Sequence, residues 1–289
     1  MPIGETLRLL FGVTIDGISQ GFLFAMFGLG ITLVFGLGGV LNLAIGILAV
    51  MGVLLAISVL NTGVGVIGAV AAGLVATGVL AYLVDRSLLR FVYKSEGDER
   101  MMLGIFATLG LATFLQGITI LRYPSTYSLP VEFPTYTVGG VFLRGSSLVV
   151  ILLSLVVFVV LYLFFSRTYV GTATRTLMQD EIGALLCGID ARRLRMMVFV
   201  LSTVIAGIGA FLYSVSTSVS VTSSLQLSIY GLMVSITGGV TSLSGTVIAG
   251  IGLGIVSTYV ATLLGSYWSN LSIFIVVIGV LLVRAEGIA

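Results

Sequence analysis

The sequence predicts an all-α, polytopic membrane protein with about eight or nine transmembrane helices, and three observations predict it. Mean hydropathy is +1.24, with 58% of residues hydrophobic and only 8% charged, a balance outside that of water-soluble domains. Apolar runs recur near residues 9–35, 40–60, 63–83, 102–121, 146–165, 197–217, 226–240, 246–264 and 267–283. These runs do not alternate in polarity as barrel strands do, and only helices or closed barrels satisfy the backbone in lipid.

At 1.5 Å rise, roughly 20 residues cross the hydrocarbon core. Most runs qualify, 226–240 is marginal, and one Gly-broken segment is expected to dip in without crossing. The first run follows MPIGETLRLL and continues past the length of a signal-peptide core without a small-residue cleavage site, so it reads as a span and not a removable leader.

The connecting loops carry the orientation. Residues 84–101 hold Arg86, Arg90, Lys94 and Arg100, and residues 166–196 hold Arg167, Arg175, Arg192, Arg193 and Arg195. Arg284 sits in the tail, whereas 122–145 has only Arg122 and Arg144 among three prolines and several tyrosines. The positive-inside rule places the first two loops and the C-terminus in the cytoplasm and 122–145 outside. The N-terminus falls outside with nine full crossings and inside with eight. Tyr123, Tyr127, Phe133 and Tyr136 read either as interfacial anchors or as a docking surface for an external protein.

The spans are rich in glycine, as in Gly28, Gly30, Gly36, Gly38 and Gly39, then Gly245, Gly250, Gly252 and Gly254. Small residues let helices approach closely in lipid, and some can mark broken helices beside a polar path.

No catalytic constellation is visible. The chain has no His, its one Lys stands in Tyr93-Lys94-Ser95, and no Gly-Lys-Ser/Thr loop exists to cradle nucleotide phosphates. Neither an enzyme activity, a metal site nor a resident cofactor is expected, and any ATP must be bound by partner subunits. A net charge of +2 without basic–aromatic interleaving gives no reason to expect nucleic acid. Cys187, the single cysteine, cannot form an internal disulfide. Asp16 is the one carboxylate within the expected spans, read either as an interfacial group or as a polar group beside a substrate path.

Residues 171–193, GTATRTLMQDEIGALLCGIDARR, stand apart. Five of thirteen basic residues lie between Arg167 and Arg195. The spacing of Leu177, Ala184, Leu185 and Ile189 suits one short amphipathic helix between Thr172 and Gly188. Two readings stand: a basic loop lying at the headgroups, or a helix offering an apolar ridge flanked by charge to a cytoplasmic motor subunit.

The pattern Gly171-x-x-x-Arg175, then Ala184-x-x-x-Gly188-Ile189 and a basic stretch, resembles the cytoplasmic signature of LivH-type ABC-importer permeases for branched-chain amino acids. Their wider family includes urea and short-chain amide permeases. Thr176 replaces the family's usual Ala. Asp16-Gly17 stands for its Asn-Gly, and Asn42-Leu43-Ala44-Ile45-Gly46 for its Asn-Phe-Ala-His-Gly. AGIGAFLYS (206–214) is similar to the helix after the coupling loop, and ITGGVTSLSGTVIAGIGLG (236–254) to its Gly-rich block, with Thr241 and Thr246 in place of small residues. The tail Arg284-Ala-Glu-Gly287-Ile288 resembles Arg-Pro-x-Gly-Leu without the Pro.

The resemblance covers nearly the whole chain. It implies a permease subunit of the inner (cytoplasmic) membrane, paired with a second permease subunit. Two ATP-binding subunits would dock below it and an extracytoplasmic substrate-binding protein above. It implies an ATPase-coupling loop carried by Gly171, Arg175, Asp180, Glu181, Ala184 and Gly188, with Arg192 and Arg193 at its edge. Asp16, Ser19, Gln20, Thr32 and Asn42 are the polar residues available to a small zwitterionic substrate. Urea or amide transport stays open, as does an ion-coupled secondary transporter using Asp16.

Overall fold

The computed structural model describes residues 3–95, 97–131, 133–138 and 141–283. Among the described residues there are twelve α-helical segments, nine following the apolar runs and three (α4, α7 and α8) lying in the basic loops: α1 Ile3–Gly38, α2 Ile45–Leu60, α3 Val66–Val84, α4 Arg90–Val92, α5 Gly97–Arg122, α6 Gly145–Arg167, α7 Tyr169–Gln179, α8 Glu181–Leu186, α9 Ala191–Ser216, α10 Ser223–Gly238, α11 Leu243–Leu264 and α12 Ser266–Val283. Among the described residues, seven helices are long and apolar enough to cross a bilayer, and the chain is a multi-pass membrane protein.

Two expected loops are shorter or more ordered than their composition suggests. A π-turn at Asp85–Leu89 carries α3 into α4, and α5 starts at Gly97, so little of the basic 84–101 stretch is free of helix. The 122–145 segment is not uniformly irregular: Thr135–Val138 (β1) and Val141–Arg144 (β2) form an antiparallel hairpin. It is a small exception to the all-α expectation, formed from β-branched and aromatic residues outside the helical runs.

The hairpin marks one face of the molecule, and the basic segments around α4, α7 and α8 mark the other. The Phe142 carbonyl lies against Gly12, and Thr14 is hydrogen-bonded to Tyr259 near the end of α11. The start of α1 therefore lies on the hairpin face, with its end beside Met178 and Tyr93 on the basic face. α12 runs back from the hairpin face to end at Val283 on the basic side; the Arg284–Ile288 motif lies outside the described residues.

The two short helices, α2 and α10, are where the chain breaks. Thr108, about 16 Å along α5 from Gly97, donates to the Leu41 carbonyl and accepts from the Leu43 amide. Gln116, nearer the hairpin face, donates to the Val221 carbonyl and to Ser224. Segment 39–44 thus runs unwound with its backbone groups met by α5, while 217–222 is unwound with Val219 and Val221 buried and Thr217, Ser218 and Thr222 exposed, so α2 and α10 both begin part-way along the length of α5. There they overlap, since a Cβ on Gly46 would meet the Ser224 carbonyl, and Ser228 accepts from the Gly46 amide and donates to the Leu43 carbonyl. Irregular backbone survives at such depth only when protein groups satisfy it. The surrounding pairings mirror each other: α1 packs on α10 and α11 as α9 packs on α2 and α3.

α1 is the central post, largely buried from Gly21 to Val34. Its tightest neighbour is α11, where a Cβ on Gly254 would lie 2.2 Å from Gly21. That close approach is the role small residues play in lipid, where apolar burial supplies little drive between helices. Deeper in, Thr32 is hydrogen-bonded to Ser235 at 2.7 Å and Thr246 at 2.9 Å, tying α1 to α10 and α11.

Candidate functional site

The connection from α6 to α9 is built from helix caps. Thr168 accepts from the Gly171 amide at 3.1 Å, opening α7. A Cβ on Gly171 would sit 2.3 Å from the Phe165 carbonyl, so the turn between α6 and α7 admits glycine alone. The single amphipathic helix expected over 172–188 is instead two helices, because Asp180 is extended (φ −149°, ψ 105°) between α7 and α8. α8 ends on Gly188 at φ +80°, with the Ile189 amide donating to the Ala184 carbonyl, a left-handed cap that disfavours a side chain. Asp190 then accepts from the Arg193 amide and pairs with its guanidinium at 2.9 Å, opening α9.

Breaking the helix changes which side chains face out. Leu177 and Ala184 are buried against the protein, so the ridge read from Leu177, Ala184, Leu185 and Ile189 is not the exposed one. Ile182 (73% exposed), Leu185 (51%) and Leu186 (84%) form it, one turn of α8 with Cys187 exposed beside them. Of this exposed ridge the sequence's apolar spacing gives Leu185 alone; Ile182 and Leu186, on the same short helix, are added by the structure.

Glu181 turns toward its own chain. Arg195 pairs with it at 2.7 Å and Arg100 at 3.6 Å. Burial pushes the Glu181 carboxyl up, but the hydrogen bond and charge of Arg195, with Arg100, outweigh it and hold the group below its ordinary range. Arg195 is itself buried, donates to the Leu37 carbonyl at the end of α1, and lies 5.3 Å from the Tyr93 ring centre. Burial raises the Tyr93 hydroxyl far above its usual range, so it stays protonated. In the sequence Arg195 and Arg100 stand out only as loop cations that set orientation, and Tyr93 only as the neighbour of Lys94; the structure adds all three to the site. Arg195 shares the buried face of α9 with Ala191, Leu194, Val198 and Phe199, a periodicity that marks it as the inward member of its basic cluster.

The end of α1 is gripped from both sides. A Cβ on Gly36 would strike Met178 of α7, and one on Gly38 would strike the Tyr93 ring. Movement of α7 and α8 thus bears directly on α1.

The polar residues proposed for a substrate path form three groups, not one. Asp16 accepts from Ser147 at 2.6 Å and faces Arg144 at 3.9 Å, pinning α1 to the hairpin face. Ser19 is buried and Gln20 half-buried on the same stretch of α1. Thr32 lies farther along, and Asn42 beyond the end of α1. Asn42 is fully buried; its Oδ1 accepts from the Ala44 amide, and its Nδ2 has no hydrogen-bond partner among the described residues. A largely apolar cavity of about 620 Å³ between α1, α6, α7 and α11 brings Thr32 to the same opening as Thr174 and Arg175. Arg175, an exposed residue, therefore borders this cavity, while Arg192 lines a separate polar one with Asp85 and Arg195.

No group of three or more potential metal-ligating His, Cys, Asp or Glu side chains occurs among the described residues.

Comparison with known proteins gives this arrangement its family. The chain is 25% identical to the high-affinity branched-chain amino acid transport system permease protein BraD of Pseudomonas aeruginosa, over 95% of this chain and 94% of BraD. It is 24% identical to the permease protein LivH of Escherichia coli, covering 94% of this chain and 93% of LivH. The LivH of Salmonella typhimurium is 23% identical over the same shares. A family model described as "Branched-chain amino acid transport system / permease component" matches residues 13–285. Spanning almost all of the membrane-embedded chain, that match makes this protein a member of the branched-chain amino acid transport system permease component family.

Proposed function

We propose that the chain forms half of the translocation path of an ATP-driven importer for branched-chain or other hydrophobic amino acids. The observation that carries this reading is the mechanical line from α8 to α1. The exposed Ile182, Leu185 and Leu186 offer an apolar ridge to a partner, while Glu181 on the same helix holds Arg195, which holds the Leu37 carbonyl. Family membership supports the substrate class, because the named relatives are branched-chain amino acid permeases.

On this reading the basic face is cytoplasmic, as is the C-terminus, and the membrane is the inner one. A second, related permease subunit completes the path. Two ATPase subunits dock against α7 and α8, and an extracytoplasmic binding protein delivers substrate to the hairpin face. ATP is bound and hydrolysed by the partners, and this chain takes no cofactor. ATPase closure pushes α8, and the Glu181–Arg195–Leu37 line, with Met178 against Gly36, carries the displacement into α1. A channel lined by a few hydroxyls and amides in apolar walls suits a small amphiphile passed through without tight binding.

The test is copurification of the full chain with a coexpressed ATPase subunit. Ile182→Asp with Leu186→Asp should abolish the complex while the chain still inserts and runs as a folded species in detergent. Undiminished ATPase binding by that variant overturns the coupling assignment.

A further inference from the structure

We propose that the polar cavity between α4 and the start of α9 holds the headgroup of an anionic phospholipid bearing both a phosphodiester and a hydroxyl donor, as phosphatidylglycerol does. The cavity, about 230 Å³, is lined by Asp85, Arg90, Tyr93, Lys94, Arg192 and Arg195. Four cations thus converge with one carboxylate, and Arg195 is already paired with Glu181. Arg90, Lys94 and Arg192 make no salt bridge among the described residues, leaving an excess of positive charge for an anion. Its volume falls below the roughly 300 Å³ at which drug-sized ligand sites begin, and suits a headgroup.

Asp85 refines the ligand. It is only 8% exposed, and its Oδ1 has no hydrogen-bond partner among the described residues. A phosphodiester with no hydroxyl would leave the Asp85 carboxylate without a donor and add repulsion. A phosphodiester carrying a hydroxyl can place its anion on Arg90, Lys94 and Arg192 and donate to Asp85.

The surroundings point to lipid as the source. Leu83 (53% exposed) and Phe91 (63%) lie on the same run as the cavity residues, offering apolar surface to acyl chains. The Lys94 ammonium sits 5.4 Å from the Phe91 ring centre, and Arg86 donates to the Tyr82 hydroxyl on the turn before. Basic pockets beside spans on the cytoplasmic side are suited to anionic headgroups. The site rests on the cytoplasmic assignment of the basic face, not on the transported substrate. Because Arg195 and Tyr93 border both this cavity and the end of α1, a seated headgroup would brace the line from α8 to α1.

The experiment places the full chain in nanodiscs of phosphatidylcholine doped with phosphatidylglycerol, phosphatidylethanolamine or phosphatidylmethanol, and reads retained lipid by native mass spectrometry. Phosphatidylmethanol keeps the phosphodiester charge but lacks the hydroxyl. Phosphatidylglycerol should be retained over all three, several-fold over phosphatidylmethanol. Arg90→Gln with Lys94→Gln should cut its retention about 25-fold, at roughly fivefold per charge. Arg122→Gln, on the opposite face, should leave it unchanged. Equal retention of phosphatidylmethanol overturns the role of Asp85. Equal retention of phosphatidylcholine, displacement by millimolar inorganic phosphate, or an unaffected double variant overturns the site. The comparison of headgroups on the unmodified chain stands even if the variant fails to fold, and none of these outcomes depends on amino acid uptake.

Discussion

Arg195 reaches across from α9 to place a guanidinium nitrogen 2.7 Å from the carboxylate of Glu181 at the start of α8. The same guanidinium donates to the last turn of α1 through the Leu37 carbonyl. One buried cation therefore joins the surface helix to the central post of the bundle. Breaking a buried pair by removing one member costs far more than an exposed ion pair is worth, although the part-exposed Glu181 moderates that cost.

Replacing Arg195 with Met should uncouple this junction. We expect about 2 kcal/mol of destabilisation, read as a lower thermal midpoint in detergent, with a larger loss of transport than the stability change explains. Glu181→Gln should be milder. In a double-mutant cycle the two should be strongly non-additive, because they share one interaction. Additive effects would contradict the linkage.

The same pair makes a pH prediction. Glu181 is held below the ordinary glutamate range by Arg195 and Arg100. A depressed carboxyl contributes stability that is present above its unfolded pKa and lost as pH falls through the folded one. Unfolding followed from about pH 6 down through the ordinary glutamate value of about 4.3 to about pH 2 should therefore show a steeper acid loss in the unmodified chain than in Glu181→Gln.

At the α1–α11 contact, Gly254→Ala should destabilise by about 1–3 kcal/mol, because its Cβ would fall 2.2 Å from Gly21 backbone. Gly252→Ala, two residues away with no atom within 4 Å of its Cβ, should be neutral or slightly stabilising. Thermal unfolding of both in one detergent separates steric contact from helix propensity.

Asp16→Asn tests the class of transporter. The carboxylate is engaged by Ser147 and faces Arg144, and an amide oxygen can still accept the serine hydroxyl. Uptake should persist with a modest loss of stability at the hairpin end. Abolished uptake with an intact fold would instead favour ion coupling through Asp16.

Thr32→Val removes the shared hydroxyl linking α1 to Ser235 and Thr246. Interhelical hydrogen bonds in membranes are worth about 0.6 kcal/mol on average, so a loss of about 1 kcal/mol is expected, measurable by the thermal midpoint.

Much of the architecture was legible beforehand. The nine apolar runs became seven long helices and two short ones, and the marginal 226–240 run became the 16-residue α10. The 40–60 run was harder: its first residues are apolar enough to look helical, yet 39–44 are unwound because Gly39 turns the chain and Thr108 takes up its backbone groups. At the coupling loop, the caps at Gly171 and Gly188 coincide with the motif positions. The inward turn of Glu181 and outward turn of Leu186 depended on the break at Asp180, which one residue's composition does not announce.

Run length, hydropathy and the placement of Arg and Lys were sufficient to establish a polytopic helical protein with its basic segments on one side, because lipid imposes those constraints locally on every span. The mid-membrane meeting of α2 and α10, the pairing of Arg195 with Glu181 and Leu37, and the polar cavity at Asp85 came from packing. Each joins residues far apart in the chain, and which of several similar arginines or glycines faces inward depends on the rotation and depth of its helix against neighbours.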